Sequence, residues 1–196
     1  MDIFKIKGVH IDGIASCVPE REIDNEAALS ELYGDEAKLI IGSTGIKKRY
    51  LANPGTTSSD MCIAAAKEVL KGTGTEPEEI GGVVFVTFTP DRRMPFNASL
   101  VQDQLGLSRE IPAFDLSLAC SGYAYGLYIA ASLSATGGKK VLLLDGDAQT
   151  AFTSPEDKST APVMADAGSA TLLSFDGSGD EWKFTFYTDG SGREAL

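Results

Sequence analysis

The chain has 196 residues, of which 43% are hydrophobic and 23% are charged, and its net charge is −11. This composition is ordinary for one soluble globular domain or for a generous half of a larger protein. The negative charge argues against a nucleic-acid partner because phosphates would be repelled. No apolar run approaches the ~20 residues that a membrane-spanning helix needs.

The numbers of cysteine and histidine residues indicate which cellular compartment and which cofactors to expect. The start of the chain lacks the basic stretch, apolar stretch and cleavage site of a secretory signal. Three cysteines at irregular spacing do not make a disulfide framework, so we expect a reducing, cytoplasmic environment. The single histidine, His10, cannot build a His-rich metal site and there is no CxxC motif, so we expect no metal.

The first half of the chain mixes short elements of both kinds. The pattern predicts a strand over 3–16, helices over 24–33 and 38–41, a polar basic loop over 43–50 and a helix over 59–71. Asp24 or Asn25 is the expected cap of the first helix, and Gly34, Gly42 and Gly72 are the expected stops.

The second half alternates strands with helices. We predict strands over 82–88, 111–117 and 140–145, helices over 96–105 and from Cys120 to about 135, and two final strands over 167–175 and 181–187 joined by a turn at 176–179. Unbroken apolar runs such as 82–88 are typical of strands covered on both faces. The alternation predicts an α/β fold with a mainly parallel sheet.

Cys120 lies at the join between a predicted strand and a long small-residue helix. Backbone N–H groups at a helix start favour a thiolate, which can attack a carbonyl and hold an acyl group as a thioester. The local pattern alone leaves a second interpretation open, a small buried hydrophobic residue. For Cys17 and Cys62 packing is the favoured interpretation. The sequence offers no neighbouring base, since His10 belongs to the first strand.

Four motifs, in order along nearly the whole chain, resemble the N-terminal half of β-ketoacyl-acyl-carrier-protein synthase III, a thiolase-fold condensing enzyme. They are the opening strand Ile11–Glu20 with its proline, the Thr44-Gly45-Ile46 loop that ends in Arg49, the nucleophile segment Pro112–Gly122, and the glycine-rich turn Met164–Ala170.

This resemblance implies the fold and the reaction. Residues 1–196 would form one half of the duplicated thiolase fold, a mainly parallel five-stranded sheet with helices on both faces. Cys120 would accept an acyl group from an acyl thioester and pass it to the carbanion left when malonyl-acyl-carrier-protein loses carbon dioxide, a step of fatty-acid or related biosynthesis. Acyl carrier protein would be a partner, no cofactor would be needed, and a homodimer would form through about 112–117.

The resemblance also marks what this chain lacks. In the family, a His and an Asn from the C-terminal half stabilise the developing enolate, and neither has a counterpart here. The end of the chain reads as cut, so we expect a fragment, a domain or one piece of a split enzyme that alone is at most acylated. The alternative that stays open is a non-catalytic thiolase-like dimerisation half or a partner half of a split condensing enzyme.

Three further residues are expected at the substrate site from their matches to the family, namely Thr44, Met94 and Lys158. Leu39 and Ser43 occupy the positions at which coenzyme-A-using members have a Trp and an Arg. Lys158 occupies the position of the Arg that stacks on adenine in those members. These differences weaken the case for acetyl-CoA as the acyl donor. Met94 matches a Phe that crosses the dimer interface and closes the acyl pocket. A Met there would admit a longer chain, or it would merely fill a loop core.

The sequence also contains basic clusters, and it lacks the motifs of two other α/β classes. Residues 47–49 and 92–93 are basic runs that would meet phosphates or an acidic carrier protein, although such groups are more often solvated surface. A dinucleotide-binding domain would need G-x-G-x-x-G directly after a strand, and a serine hydrolase would need G-x-S-x-G; the sequence has neither.

Overall fold

The computed structural model describes residues 3–195. Its α-helices are α1 (Asn25–Tyr33), α2 (Glu36–Thr44), α3 (Ser58–Thr73), α4 (Asn97–Gln104) and α5 (Gly122–Gly137). Its strands are β1 (Phe4–Lys7), β2 (Val9–Cys17), β3 (Arg21–Asp24), β4 (Lys48–Leu51), β5 (Ile80–Val86), β6 (Ala113–Leu116), β7 (Lys140–Ala148), β8 (Asp166–Phe175) and β9 (Glu181–Phe184).

The central sheet has five strands in the order β2-β8-β7-β5-β6. The pairs β7–β5 and β5–β6 are parallel, whereas β8 is antiparallel to both of its neighbours. Four strands therefore point the same way and β8 alone points the other way. The predicted α/β fold with a five-stranded sheet is confirmed, and "mainly parallel" holds for strand direction but for only half of the pairings.

The parallel strands end together at one edge of the sheet, which we call the carboxyl edge. Val86 of β5 is in register with Leu116 of β6 and with Asp145 of β7. The segments that follow these strands, 87–96, 117–121 and 149–165, therefore emerge from the same edge. In open α/β sheets this edge is where binding and catalytic groups usually gather.

Helices cover both faces of the sheet, as predicted. Helices α3 and α4 pack with one face of β5, β7 and β8, in a core that includes Phe85, Leu142 and Leu172. Helix α5 packs on the other face against Val84, Val86 and Leu143. The approach of α5 to the sheet is close because two glycines, Gly122 and Gly126, face the strands.

The segment 43–50, predicted as a loop, is partly regular. Helix α2 runs to Thr44 and ends at Gly45, whose φ of 71° lies in the left-handed region, and β4 then pairs antiparallel with β3. The strand was missed because the apolar alternation that marks a half-buried strand is absent: its buried position is the charged Arg49, next to the exposed Lys48.

The two last strands are present as predicted, but they do not pair with each other. The turn over 176–179 is present, but β9 leaves the central sheet and pairs with β1, with Phe4 opposite Phe184. The predicted first strand is accordingly broken at Gly8, whose φ is 79°. A Cβ on Gly8 would stand 2.4 Å from the Cα of Gly177, so the break and the turn pack directly on each other.

Candidate active site

Cys120 is exposed and lies two residues before the first residue of α5, at the carboxyl edge. Ser121, the N-cap residue of α5, makes no side-chain capping bond. The Gly122 N–H donates to the Ala119 carbonyl at 2.7 Å, while the N–H groups of Tyr123 and Ala124 have no acceptor among residues 3–195. Free donors and the positive end of the helix dipole thus face this position, an environment that stabilises negative charge on sulfur or on a carbonyl oxygen.

The other two cysteines lie in packing positions, as the sequence indicated. Cys62 is 0% exposed in α3, and its burial raises the pKa of its thiol far above the usual range. Cys17 is half-buried at the end of β2 and packs against the α3 side of the core. Of the three thiols, that of Cys120 is the most exposed.

The segment after β5 is held to the sheet by Asp147. One oxygen of its carboxylate accepts hydrogen bonds from the hydroxyls of Thr87 (2.7 Å) and Thr89 (2.8 Å) and from the backbone N–H groups of Phe88 (3.0 Å) and Thr89 (3.1 Å). This anchoring leaves the Phe88 side chain 43% exposed and the Met94 side chain 72% exposed. Two apolar side chains are therefore presented on the loop beside β6.

Asp145 is a candidate residue of the active site that the sequence analysis did not single out. Leu143, two residues earlier, packs on the α5 side, so Asp145 points to the same face. Burial and the neighbouring Asp147 carboxylate raise the pKa of Asp145 to about 6. No side chain or backbone N–H between residues 3 and 195 donates to its carboxylate. The signal that could have found it is an acid at the end of the apolar run Val141–Leu144.

The residues predicted at the substrate site do not all gather around Cys120. The Thr44 hydroxyl at the end of α2 donates to the Ile40 carbonyl at 2.9 Å. The Lys158 ammonium pairs with Glu36 at 2.7 Å and lies 5.2 Å from the centre of the Tyr33 ring. Thr44 and Lys158 are thus on the α1–α2 side, whereas Met94 follows β5. Lys158 and Met94, like Cys120, belong to segments that emerge from the carboxyl edge of the sheet.

The basic run at 47–49 does not form a uniform exposed patch. Lys48 pairs with Glu22 at 2.7 Å on the ribbon of β3 and β4. Arg49 is buried, and its guanidinium donates to the Asn25 side chain and to the carbonyls of Ala161 and Met164. Arg49 therefore joins α1 to the segment after β7, so the hypothesis that it meets a carrier protein or a phosphate on the surface is wrong.

His10 lies at the opposite end of the sheet from Cys120. It is the second residue of β2, and its ring is 2.9 Å from the Asp176 carboxylate in the turn after β8. Within the described part of the chain, three or more His, Cys, Asp or Glu side chains never converge as metal ligands would. Across residues 3–195, no helix has the length and apolarity to span a membrane.

The amino-acid sequence is similar to those of known proteins. The family 3-oxoacyl-[acyl-carrier-protein (ACP)] synthase III matches residues 114–190. β-Ketoacyl-[acyl-carrier-protein] synthase III 2 of Streptomyces coelicolor is 37% identical over 174 residues, which are 88% of this chain and 52% of that protein. β-Ketoacyl-[acyl-carrier-protein] synthase III of Rhodopirellula baltica is 38% identical over 171 residues, 86% of this chain and 48% of that protein.

Solved structures are similar over nearly the whole chain. A 3-oxoacyl-(acyl-carrier protein) synthase from Burkholderia xenovorans LB400 superposes with a TM-score of 0.94 at 30% identity, covering 98% of this chain and 56% of that one. The chain thus has a thiolase-type fold. It is similar to the β-ketoacyl-acyl-carrier-protein synthases III, as its motifs indicated, and it spans about half the length of the curated relatives that it matches.

Proposed function

We propose that this chain carries the nucleophile of a β-ketoacyl-acyl-carrier-protein synthase III, an acyltransferase of fatty-acid or related biosynthesis. The observation that supports this most directly is the solvent-open Cys120 in front of an uncapped helix start, in the segment matched by the family. The thiolate of Cys120 attacks the carbonyl of an acyl thioester. A new C–S bond forms, the old one breaks, and the donor leaves as a thiolate, which takes up the proton that Cys120 lost on ionising.

The second half of the reaction forms the carbon–carbon bond. Malonyl-acyl-carrier-protein loses carbon dioxide, its carbanion attacks the acyl group on Cys120, and the thiolate is released. Negative charge develops on a carbonyl oxygen in each step, and the free N–H groups at the start of α5 are suited to stabilise it. No metal or organic cofactor takes part in this proposal.

We infer that the condensation step needs groups outside this chain. The only histidine in the sequence is held by Asp176 at the far end of the sheet. Helix α5 has no charged residue in its sixteen, yet several of its side chains are only half-buried, including Tyr125, Leu127 and Tyr128. An uncharged helix of this kind is normally covered on more than one side. A second half-domain of the relatives' length would provide both the cover and the missing catalytic groups.

The proposed assembly is a homodimer joined at β6. This strand is at the edge of the five-stranded sheet and has a neighbour on one side only within residues 3–195. An unpaired strand edge can add a strand from a second chain. Pairing of two β6 strands would bring the exposed Met94 loop of each copy close to the Cys120 of the other.

For the acyl donor, the geometry favours an acyl group carried by acyl carrier protein over acetyl-CoA. Lys158 is already occupied by Glu36 and by the Tyr33 ring. Leu39 is exposed but has no aromatic ring to stack on an adenine. A nucleotide would have to displace the Lys158–Glu36 pair without gaining the planar stack that a guanidinium provides.

Intact-mass measurement tests the first step. The wild-type chain is incubated with acetyl-CoA, butyryl-CoA and butyryl-acyl-carrier-protein, and we expect a mass increase equal to one acyl group. The fraction of chains that carry this adduct should be largest with the carrier-protein donor. Cys120→Ala should lose the adduct, and Cys17→Ala, the matched control with an equally small change, should keep it. An adduct on Cys17 or Cys62 would remove Cys120 from its role. A chain that acquires no acyl group even when combined with a C-terminal half from a relative would favour the non-catalytic dimerisation or partner half.

A further inference from the structure

A small apolar cavity outside the α5 start is lined by the largely buried guanidinium of Arg49. Its volume is about 100 Å³, and it lies between α1, β4 and the segment after β7. Its wall includes Ala28, Leu29, Leu32, Leu51, Met164 and Arg49. The lining is mostly hydrocarbon, so water in this cavity would be poorly hydrogen-bonded.

Arg49 is only 9% exposed, yet part of its guanidinium is unpaired. Its Nε donates to the Asn25 side chain at 2.6 Å, and its Nη1 donates to the carbonyls of Ala161 (2.6 Å) and Met164 (2.7 Å). These bonds use three of the five N–H groups. Among residues 3–195 nothing accepts from Nη2, and this nitrogen is open to solvent, so its two donors are free for a bound acceptor.

The charge of Arg49 is also incompletely compensated. No carboxylate in the described chain lies within ion-pair distance of it. Burial lowers the pKa of the Arg49 guanidinium, while the Tyr33 hydroxyl and the Asp166 carboxylate oppose that shift from further away. The Asp166 oxygens accept from the backbone N–H groups of Ala52 and Thr150 and from the Thr150 hydroxyl, so this carboxylate is already engaged by other donors. A buried cation with free donors favours an anionic acceptor.

We propose that this cavity binds a short-chain aliphatic carboxylate, with one carboxylate oxygen on Arg49 Nη2 and the hydrocarbon tail against Leu29, Leu32 and Met164. The size fits, because a cavity of roughly 150 Å³ holds benzene and this one is about 100 Å³. Roughly three or four carbons therefore fill it. A bulky anion such as phosphate would leave its remaining oxygens against hydrocarbon.

Occupation of the cavity would join three parts of the chain. The carboxylate would contact β4 through Arg49, and its tail would contact α1 and the segment 149–165. That segment carries Lys158 and emerges from the carboxyl edge, so a bound carboxylate would stabilise it. This inference does not depend on the proposed acyl transfer at Cys120.

Titration of the ¹⁵N-labelled full chain with sodium butyrate tests the site, with chloride and pH held constant. We expect saturable shifts of the Arg49 Nε–H signal and of the α1 amides, with butyramide, the uncharged isostere, binding about fivefold or more weakly. Inorganic phosphate at the same concentration should give no saturable shift of these signals. Equal binding of butyramide, or shifts that grow without saturation, would overturn the proposal without any variant being needed.

A pair of variants on α1 provides the structural control. Ala28 lines the cavity, whereas Ala27, one residue earlier, is exposed. Ala28→Leu should fill the space and weaken butyrate binding by about tenfold or more, while Ala27→Leu should leave it within about twofold. Both variants leave the Arg49 hydrogen bonds in place. Butyrate binding that survives in a folded Ala28→Leu chain would also contradict the site.

Discussion

Gly122 and Val86 are so close that a Cβ at position 122 would stand 2.4 Å from Val86 Cγ1. The start of α5 can therefore lie on β5 only with a glycine there. Since Cys120 is two residues before Gly122, the same contact fixes where the thiol leaves the sheet. Gly122 thus helps to position the candidate site.

We predict that Gly122→Ala displaces the start of α5. The Val86 side chain is branched at Cβ and buried, so it cannot move away easily. The overpacking should cost about 1–3 kcal/mol in the free energy of unfolding measured in urea, and it should slow acylation of Cys120. Gly137→Ala in the last turn of α5 is the control, because a Cβ there meets nothing within 4 Å. Equal stability of the two variants would contradict the close contact.

We also predict that the three thiols react in a fixed order with iodoacetamide. In the folded chain Cys120 should be labelled first and the half-buried Cys17 more slowly. Cys62 should react at least roughly a hundredfold more slowly than Cys120, because it becomes accessible only through opening of the core. Peptide mass spectrometry at timed intervals measures each rate. In concentrated urea all three should react at similar rates, and a native Cys62 as reactive as Cys120 would show that α3 is not packed as described.

Local signals in the sequence predicted the helices better than their ends. Asp24 accepts from the Ala27 N–H and Gly34 ends α1, as the pattern indicated. Gly42 and Gly72, however, lie inside α2 and α3, and the helices end at Gly45 and Gly74, both in the left-handed conformation. A glycine in sequence marks a position that can adopt positive φ, but neighbouring packing decides which glycine does so.

Long-range pairing was beyond the reach of the sequence pattern. The apolar run of β8 shows a buried strand, but not that it inserts antiparallel between β2 and β7. The candidate site likewise has features that are local in sequence and features that depend on distant residues. The motif around Cys120 placed the thiol between a strand and a helix, because both elements are local. The burial of Arg49 depends on contacts with residues far away in sequence, so it could not be predicted.

Asp145 should make stability depend on pH in a definite direction. Its pKa is raised in the fold from the usual 3.8 to about 6 by burial and by Asp147. The folded chain therefore binds this proton more tightly than the unfolded chain, and stability falls as pH rises from about 4 to about 6. For a sealed group this rise in pKa corresponds to roughly 3 kcal/mol, and solvent screening of this partly exposed carboxyl reduces the effect on stability to about 1 kcal/mol.

Asp145→Asn should remove this dependence and stabilise the chain at pH 7 by the same amount. Urea unfolding at several pH values between 4 and 7 provides the measurement. Asp180→Asn, which removes the same charge from an exposed turn, is the control and should leave the slope between pH 4 and 6 unchanged. Stability that rises over this range by the same amount in the wild type and in Asp145→Asn would show that the carboxyl does not carry the penalty.

The free edge of β6 yields the last prediction. The carbonyls of Pro112 and Leu116 accept from the N–H groups of Val83 in β5 and of Thr87 directly after it, so the backbone groups of Ala113 point to the outer edge. Ala113→Pro removes an outward N–H without breaking a bond to β5, and we expect the proposed homodimer to become monomeric in light scattering after size-exclusion chromatography. Ala113→Val keeps that N–H and favours the strand, so it should remain dimeric. A dimer that persists in a folded Ala113→Pro chain would place the interface elsewhere and separate Met94 from the partner's Cys120.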